Sequence, residues 1–348
     1  MGDIRPEDPA LSPPIASSER EVTVLVTGFG PFLTAFPINP SWEIVRRLPP
    51  TLTLPPTLTL PSHPSPKPPS STTTTPSSPA TKITLLAPAP PCPLRVSYHP
   101  TAALLPSLLA AHRPDLVLHV GLAAGRDFFA IERGAARLGY ARNDDVDGRR
   151  WSAKESDAAW PPRREERGLG FPDRLETGLG FEGVWDKWVG GCCGGGGGGV
   201  EGVRGPGEEG RGSGSGRGGE GGGGGESGGD GKGPRRRRRE VEIRPSDNVG
   251  NYLCGFSYYT TLAWFWARGK EREEQQCGEE GEGDGEGDGE GARVDVERPV
   301  LFLHVPPCPE EEDVIQGREI TEELIKAMVG CYLAQKDKNQ REGEVLAV

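Results

Sequence analysis

Cysteine is scarce in this chain, at 7 in 348 residues, and the count is odd. That does not read as a disulfide framework and fits a reducing compartment. No apolar run approaches the ~20 residues that a membrane-spanning helix needs. Residues 1–20 are polar and Pro-rich, without the apolar core of a secretory signal. Positive charge is also short: 40 Lys and Arg against 51 Asp and Glu leave a net charge of −11. Seven of the acids fall within Gly278–Gly291, so the remainder is near −4 and offers no field suited to nucleic acid. The one basic run, Arg235–Arg239, has no interleaved aromatics and is followed by acids. Secreted, collagenous, membrane and disulfide-scaffold classes are set aside. The cytoplasm is the expected location, with neither a membrane nor a nucleic acid as expected partner.

What is abundant is glycine and proline, 52 and 35 residues, and their excess is local. Gly190–Gly233 holds 26 glycines in 44 residues, and Pro49–Pro93 holds 15 prolines in 45. Such stretches bury too little apolar surface to offset the entropy of ordering them. The expected organisation is a disordered segment at 1–20 and one domain at 21–348. Disordered insertions are expected at 51–80, 190–239 and 270–296. Enough residues remain for one good core.

The remaining segments alternate. Glu21–Thr27 is a β-branched run ending at Gly28 and reads as a buried strand. Asn39-Pro40 starts a helix as N-cap and first position, and Pro49-Pro50 stops it. Lys82–Ala87 and Asp115–Gly121 read as strands, the latter apolar on both faces and so central. Thr101–His112 is a helix, Glu240–Ile243 a short strand, and Tyr252–Ala267 a buried helix. Arg298–Val305 is a buried strand, followed by an amphipathic helix from Asp313, as N-cap, to about Gln335. The fold class is therefore α/β, a single domain with a mostly parallel twisted sheet and helices on both faces. Sites in such folds lie beyond the carboxyl ends of strands.

Among the cysteines, Cys254 follows a turn-forming stretch and opens an apolar helix. The helix dipole there is expected to lower a thiol pKa and make thiolate available. Cys254 is either a nucleophile or a buried, inert thiol. A thiol nucleophile needs a base, and His304 sits where a strand exits in Phe-Leu-His-Val-Pro-Pro. His119, inside an apolar strand, reads as a satisfied core histidine. Zinc at His304 and Cys308 lacks further ligands at suitable spacing. Glu132 either orients the imidazole or pairs with Arg133 at the surface. The turn Gly121–Arg126 lacks both the dinucleotide and the Walker glycine patterns.

Four blocks taken together are similar to the pyroglutamyl-peptidase I family of cytosolic cysteine exopeptidases. They are VTGFGPF with INPSWE (Val26–Glu43) and HVGLAAGR with IERGAARL and ARNDDVDG (His119–Gly148). The other two are SDNVGNYLCGFSYYTTL (Ser246–Leu262) and FLHVPPCP (Phe302–Pro309). Together they span about a third of the chain, and the tail of the His119–Gly148 block most resembles fungal members. The resemblance implies a hydrolase that removes an N-terminal L-pyroglutamyl residue from peptides, without a cofactor. It assigns Glu132, Cys254 and His304 as catalytic. It places Phe29 and Phe32 on either side of the flat lactam ring and Arg142 near the oxyanion. From the residues alone, Phe29 and Phe32 read more readily as ordinary core than as ligand contacts. The chain departs from the bacterial pattern at Leu122, Arg137 and Gly255. The alternative is a catalytically impaired relative acting as a binding or scaffold protein.

Overall fold

The computed structural model describes residues 20–34, 37–56, 80–87, 92–162, 170–194, 199–206, 238–279 and 297–346. Their strands are β1 (Arg20–Gly28), β2 (Thr51–Leu54), β3 (Thr81–Leu86), β4 (Leu116–Leu122), β5 (Phe129–Glu132), β6 (Gly134–Ala136), β7 (Arg174–Glu176), β8 (Val203–Arg204), β9 (Val241–Ser246) and β10 (Val300–Val305). The α-helices are α1 (Pro40–Val45), α2 (Tyr98–His112), α3 (Ala153–Ala159), α4 (Phe181–Cys193), α5 (Leu253–Glu279) and α6 (Glu311–Leu346).

Eight strands form one sheet in the order β2-β3-β1-β4-β10-β5-β9-β8. Neighbours run parallel except at two junctions, β2 with β3 and β10 with β5. β6 and β7 pair separately, antiparallel. The fold is thus a mostly parallel α/β sheet with helices on both faces. β10 is buried at every position, and successive side chains feed two different cores. Leu301, Leu303 and Val305 join α1, α4 and α6 on one face. Val300 and Phe302 join α2 and α5 on the other. Full burial of each aliphatic side chain contributes roughly 1.5–3 kcal/mol, which is why a continuous apolar run belongs in the sheet's middle.

Polar side chains fix how the layers sit. Trp188 of α4 donates its indole N–H to the Ile320 carbonyl of α6 at 3.0 Å. His119, fully buried on β4, lies 2.7 Å from Thr27 Oγ1 of β1 and 2.9 Å from Thr261 Oγ1 of α5. Burial pulls its imidazole down to about 3, so it is a neutral crosslink between sheet and helix. Asn39 caps α1, accepting from the Ser41 amide at 3.1 Å, and its own amide donates to the Gly30 carbonyl at 2.9 Å. The start of α1 is thereby fastened to the loop that leaves β1.

The expected insertions differ at their edges. Thr51–Leu54, placed in an insertion, pairs with β3, because its Thr/Leu alternation can half-bury one face along the sheet edge. Gly190–Cys193 continue α4, with Cys192 buried in the core, and β8 pairs with β9 inside the expected 190–239 stretch. α5 runs on past Gly269 to Glu279, into the expected 270–296 stretch. The rest of those insertions, and residues 1–19, lie outside the described residues. Asp313 stands at the third position of its helix rather than the cap: its carboxylate accepts from the Glu310 amide at 3.2 Å, back across the first turn.

Candidate active site

At one end of the sheet, β4 and β10 place Gly121 opposite His304 and His119 opposite Phe302. On the other side of β10, antiparallel β5 places Glu132 opposite Phe302 and Ala130 opposite His304. Register partners and alternate residues share a face, so Gly121, Phe302, His304 and Glu132 all point toward α5. Cys254 sits in the first turn of α5. Its Sγ stands 3.1 Å from where a Cβ on Gly121 would lie, and the Phe302 ring is 2.6 Å from that same point. Gly121 therefore makes the room in which the thiol meets the sheet, one strand from His304.

Glu132 is 0% exposed and His304 4%. Glu132 Oε1 accepts twice, from His304 Nδ1 at 2.7 Å and from Arg126 Nη1 at 2.7 Å. Its Oε2 is buried without a partner among the described residues. Burial alone would raise this carboxyl. The hydrogen bond and charge of His304, then Ser246 and Arg126, outweigh it and hold the carboxyl below its usual range. An ionised carboxylate only accepts, so Nδ1 carries the imidazole proton and Nε2 keeps a lone pair. Burial pulls the His304 pKa down further than Glu132 raises it, leaving the ring neutral.

The thiol departs from expectation. Burial, aided by repulsion from Glu132, pushes the Cys254 pKa up to about 12, against the opposing pull of Arg126. The helix start was expected to lower it, but removing a thiolate from water costs more than a first-turn dipole returns. Both shifts favour a neutral thiol and a neutral imidazole over a preformed ion pair.

The surroundings are rigid. Tyr258 of α5 donates its hydroxyl to the Glu132 carbonyl at 3.1 Å, locking the end of β5 under the helix. The turn before α5 is held by the Asn248 amide on Ser246 Oγ and the Gly250 amide on Asn248 Oδ1, both 3.2 Å, with Gly250 at φ 77°. Phe256 N–H donates to the Tyr252 carbonyl at 3.0 Å, so Leu253, Cys254 and Gly255 form the first turn. Their amides have no acceptor within the helix. A Cβ on Gly255 would run into the Gly250 carbonyl, so glycine there lets turn and helix close together.

The remaining expected positions separate. Phe29 is 3% exposed and packs into the core, its ring centroid 6.4 Å from that of Phe302. Phe32 is half-buried and packs on Tyr252 at 6.0 Å, in the segment that leads into Cys254. Arg142 ends a 3₁₀ turn, Tyr140–Arg142, as an exposed side chain, with no hydrogen bond or ion pair to another described residue. Arg133, the surface alternative for Glu132, pairs instead with Glu182 and Asp247 at 2.8 and 3.0 Å. Arg137 is buried and bound to Asp157, Asp173 and the Trp160 carbonyl. Sequence reasoning missed Arg126 and Tyr258 as site neighbours. Arg126 stands six residues before Glu132 in an irregular turn, where no periodicity signals a pairing.

No family model matches the chain, and no curated protein matches it. Among solved structures it is similar to pyrrolidone carboxyl peptidase from Pyrococcus furiosus. A mutant form aligns at 18% identity and a TM-score of 0.46, covering 90% of this chain and 99% of that one. The structure described together with a cysteine-free mutant gives the same identity, TM-score and coverage.

Proposed function

We propose that this protein is a cysteine peptidase that removes an N-terminal pyroglutamyl residue from peptides. One observation carries the reading: buried Glu132 holds His304 by Nδ1, on the strand next to the glycine over which the Cys254 thiol stands. The four sequence blocks supply the substrate class. With both partners neutral at rest, the thiol proton passes to His304 Nε2 as Sγ attacks the pyroglutamyl carbonyl. Glu132 stabilises the imidazolium that forms. The first-turn amides of α5 receive the developing oxyanion, a contribution of about 3 kcal/mol for each well-aimed donor. His304 then gives its proton to the departing amine, leaving a thioester at Cys254. Water, deprotonated by His304, hydrolyses it and releases pyroglutamate.

The lactam bears no ammonium, so an aromatic wall suits it better than a carboxylate would. Phe32, with Tyr252 beside it, supplies that wall, while Phe29 packs on Phe302 in the core. Arg142, exposed at the end of its 3₁₀ turn, is the side chain that the sequence resemblance puts near the oxyanion. The site needs no cofactor, and a thiol enzyme of this kind works in the cytoplasm, where cysteines stay reduced. Among the described residues no helix is long and apolar enough to cross a membrane. A second reading, an impaired relative that binds without cleaving, draws on the raised Cys254 thiol.

Hydrolysis of a pyroglutamyl-coumarin amide by wild type and Cys254→Ser separates the two. The serine variant is expected to melt like wild type and to retain under about a tenth of its turnover, because the hydroxyl is a far weaker nucleophile here. A wild type that binds pyroglutamyl peptides without releasing coumarin would establish the impaired relative instead.

A further inference from the structure

We propose that Arg126 is a positioning residue that ties the catalytic carboxylate to the turn carrying the nucleophile. The proposal rests on the reading of Cys254, His304 and Glu132 as the reacting set. Arg126 leaves the β4–β5 loop and spans two elements with one planar group. Nη1 donates to Glu132 Oε1 at the end of β5, and Nη2 donates to the Asn248 carbonyl, six residues before Cys254, each at 2.7 Å. Its guanidinium also lies 5.7 Å from the centre of the Phe128 ring. A rigid fork on two acceptors sets the angle between them as well as the distance. The turn it grips is the one that closes against Gly255. One side chain thus fixes the direction of the Glu132 oxygen and the backbone from which α5 starts.

Its charge has a further effect. Around His304 the charged groups are Glu132 from β5 and Arg126 from the loop, and the same two act on Cys254 of α5. Cys254 also faces Tyr98 of α2 and Tyr252 of the preceding turn. Arg126 shares the Glu132 oxygen with His304, so it weakens the carboxylate's tendency to keep the ring protonated. It preserves the base at neutral pH. It also draws the thiol pKa down against Glu132 and burial.

The test compares wild type, Arg126→Gln and Arg126→Lys in two assays. One is kcat/KM on pyroglutamyl-coumarin across pH. The other is the pH dependence of iodoacetamide alkylation at Cys254, followed on its own peptide by mass spectrometry, which needs no substrate. In Arg126→Gln, kcat/KM is expected to fall about tenfold through lost alignment. Its acidic limb and the alkylation midpoint both move to higher pH, because a cation near His304 and Cys254 is gone. Arg126→Lys restores both pH positions but only part of the rate, since an ammonium cannot span both acceptors. A merely structural tie would lower the melting temperature and leave the alkylation midpoint and acidic limb unmoved, and that result overturns the proposal. If wild type cleaves nothing while the alkylation midpoint still shifts in Arg126→Gln, the peptidase reading fails and the positioning role stands.

Discussion

Glu132→Gln removes one charge and almost no volume, and its effect can be worked through from the site. In wild type, His304 Nδ1–H donates to a carboxylate oxygen at 2.7 Å. A hydrogen bond to a charged group contributes about 1.5–3 kcal/mol against about 1 for a neutral one, so the loss of charge alone costs roughly tenfold in rate. The amide keeps the remaining contacts. Arg126 and His304 Nδ1 share Oε1, so the glutamine carbonyl takes that place and accepts from both, and its NH₂ takes the place of Oε2, which has no partner among the described residues. The ring proton therefore stays on Nδ1. The expectation for kcat/KM is a fall of about tenfold. The sign of the pH effect follows from the same contacts. Glu132 raises the His304 pKa, so its loss lowers that pKa further and moves the acidic limb to lower pH. Glu132 also raises the Cys254 thiol, so that pKa falls too. The assay is kcat/KM on pyroglutamyl-coumarin between about pH 5 and pH 10. A variant with wild-type rate and an unmoved acidic limb would remove Glu132 from the site and leave Cys254 and His304 as a dyad.

Gly121→Ala places a methyl group 2.6 Å from Phe302 and 3.1 Å from Cys254 Sγ, so it is expected to cost about 1–3 kcal/mol and to displace the thiol. Chemical denaturation and turnover should fall together, and a stable, active alanine variant would refute the close approach. His119 is neutral in the folded protein down to about pH 3 but protonates near 6.5 when unfolded. The unfolded state binds the extra proton in that window, so wild-type stability falls as pH drops from about 6.5 toward 3. His119→Gln should flatten the slope by at most about 1.4 kcal/mol per pH unit, read from urea midpoints, and an unchanged slope would exclude His119 as its source. Replacing residues 207–237 with a short Gly-Ser linker should leave melting temperature and turnover near wild type, because loop closure changes by only about 0.6 kcal/mol per doubling of length. Deletion beginning at residue 190 should instead unfold the protein, since it removes buried Cys192 and β8. Equal melting temperatures for the two deletions would contradict a stabilising role for Cys192 and β8.

The strands that were legible in the sequence include β1, β4 and β10, β-branched or apolar segments that a covered sheet suits, and also the partly exposed β3 and β9. β5 escaped notice because Phe129–Glu132 is only four residues long and ends in an acid. Its carboxylate becomes sensible only when β10 lies beside it. β2 was hidden by the prolines and threonines around it, whose composition outweighs a four-residue alternation. Cys254 and His304 were locatable from helix start and strand exit. Their protonation was not, because sequence position reports the helix dipole but not the burial that opposes it. Phe29 illustrates the same limit: a phenylalanine after a strand has one signature whether it faces a core or a ligand.

β10 lies between β4 and β5, yet it is made after both. Until residue 305 has been synthesised, β4 and β5 have no common neighbour. Without β10 the sheet order divides into β2-β3-β1-β4 and β5-β9-β8, each with an open inner edge. Those edges are the sticky ones, and both wait for the same late strand. The pairing of Glu132 with His304 spans 172 positions in the chain, so Glu132 cannot orient the imidazole before the sheet is sealed. Ribosome pausing upstream of β10 should therefore favour aggregation. Completing the sheet and joining Glu132 to His304 become a single event.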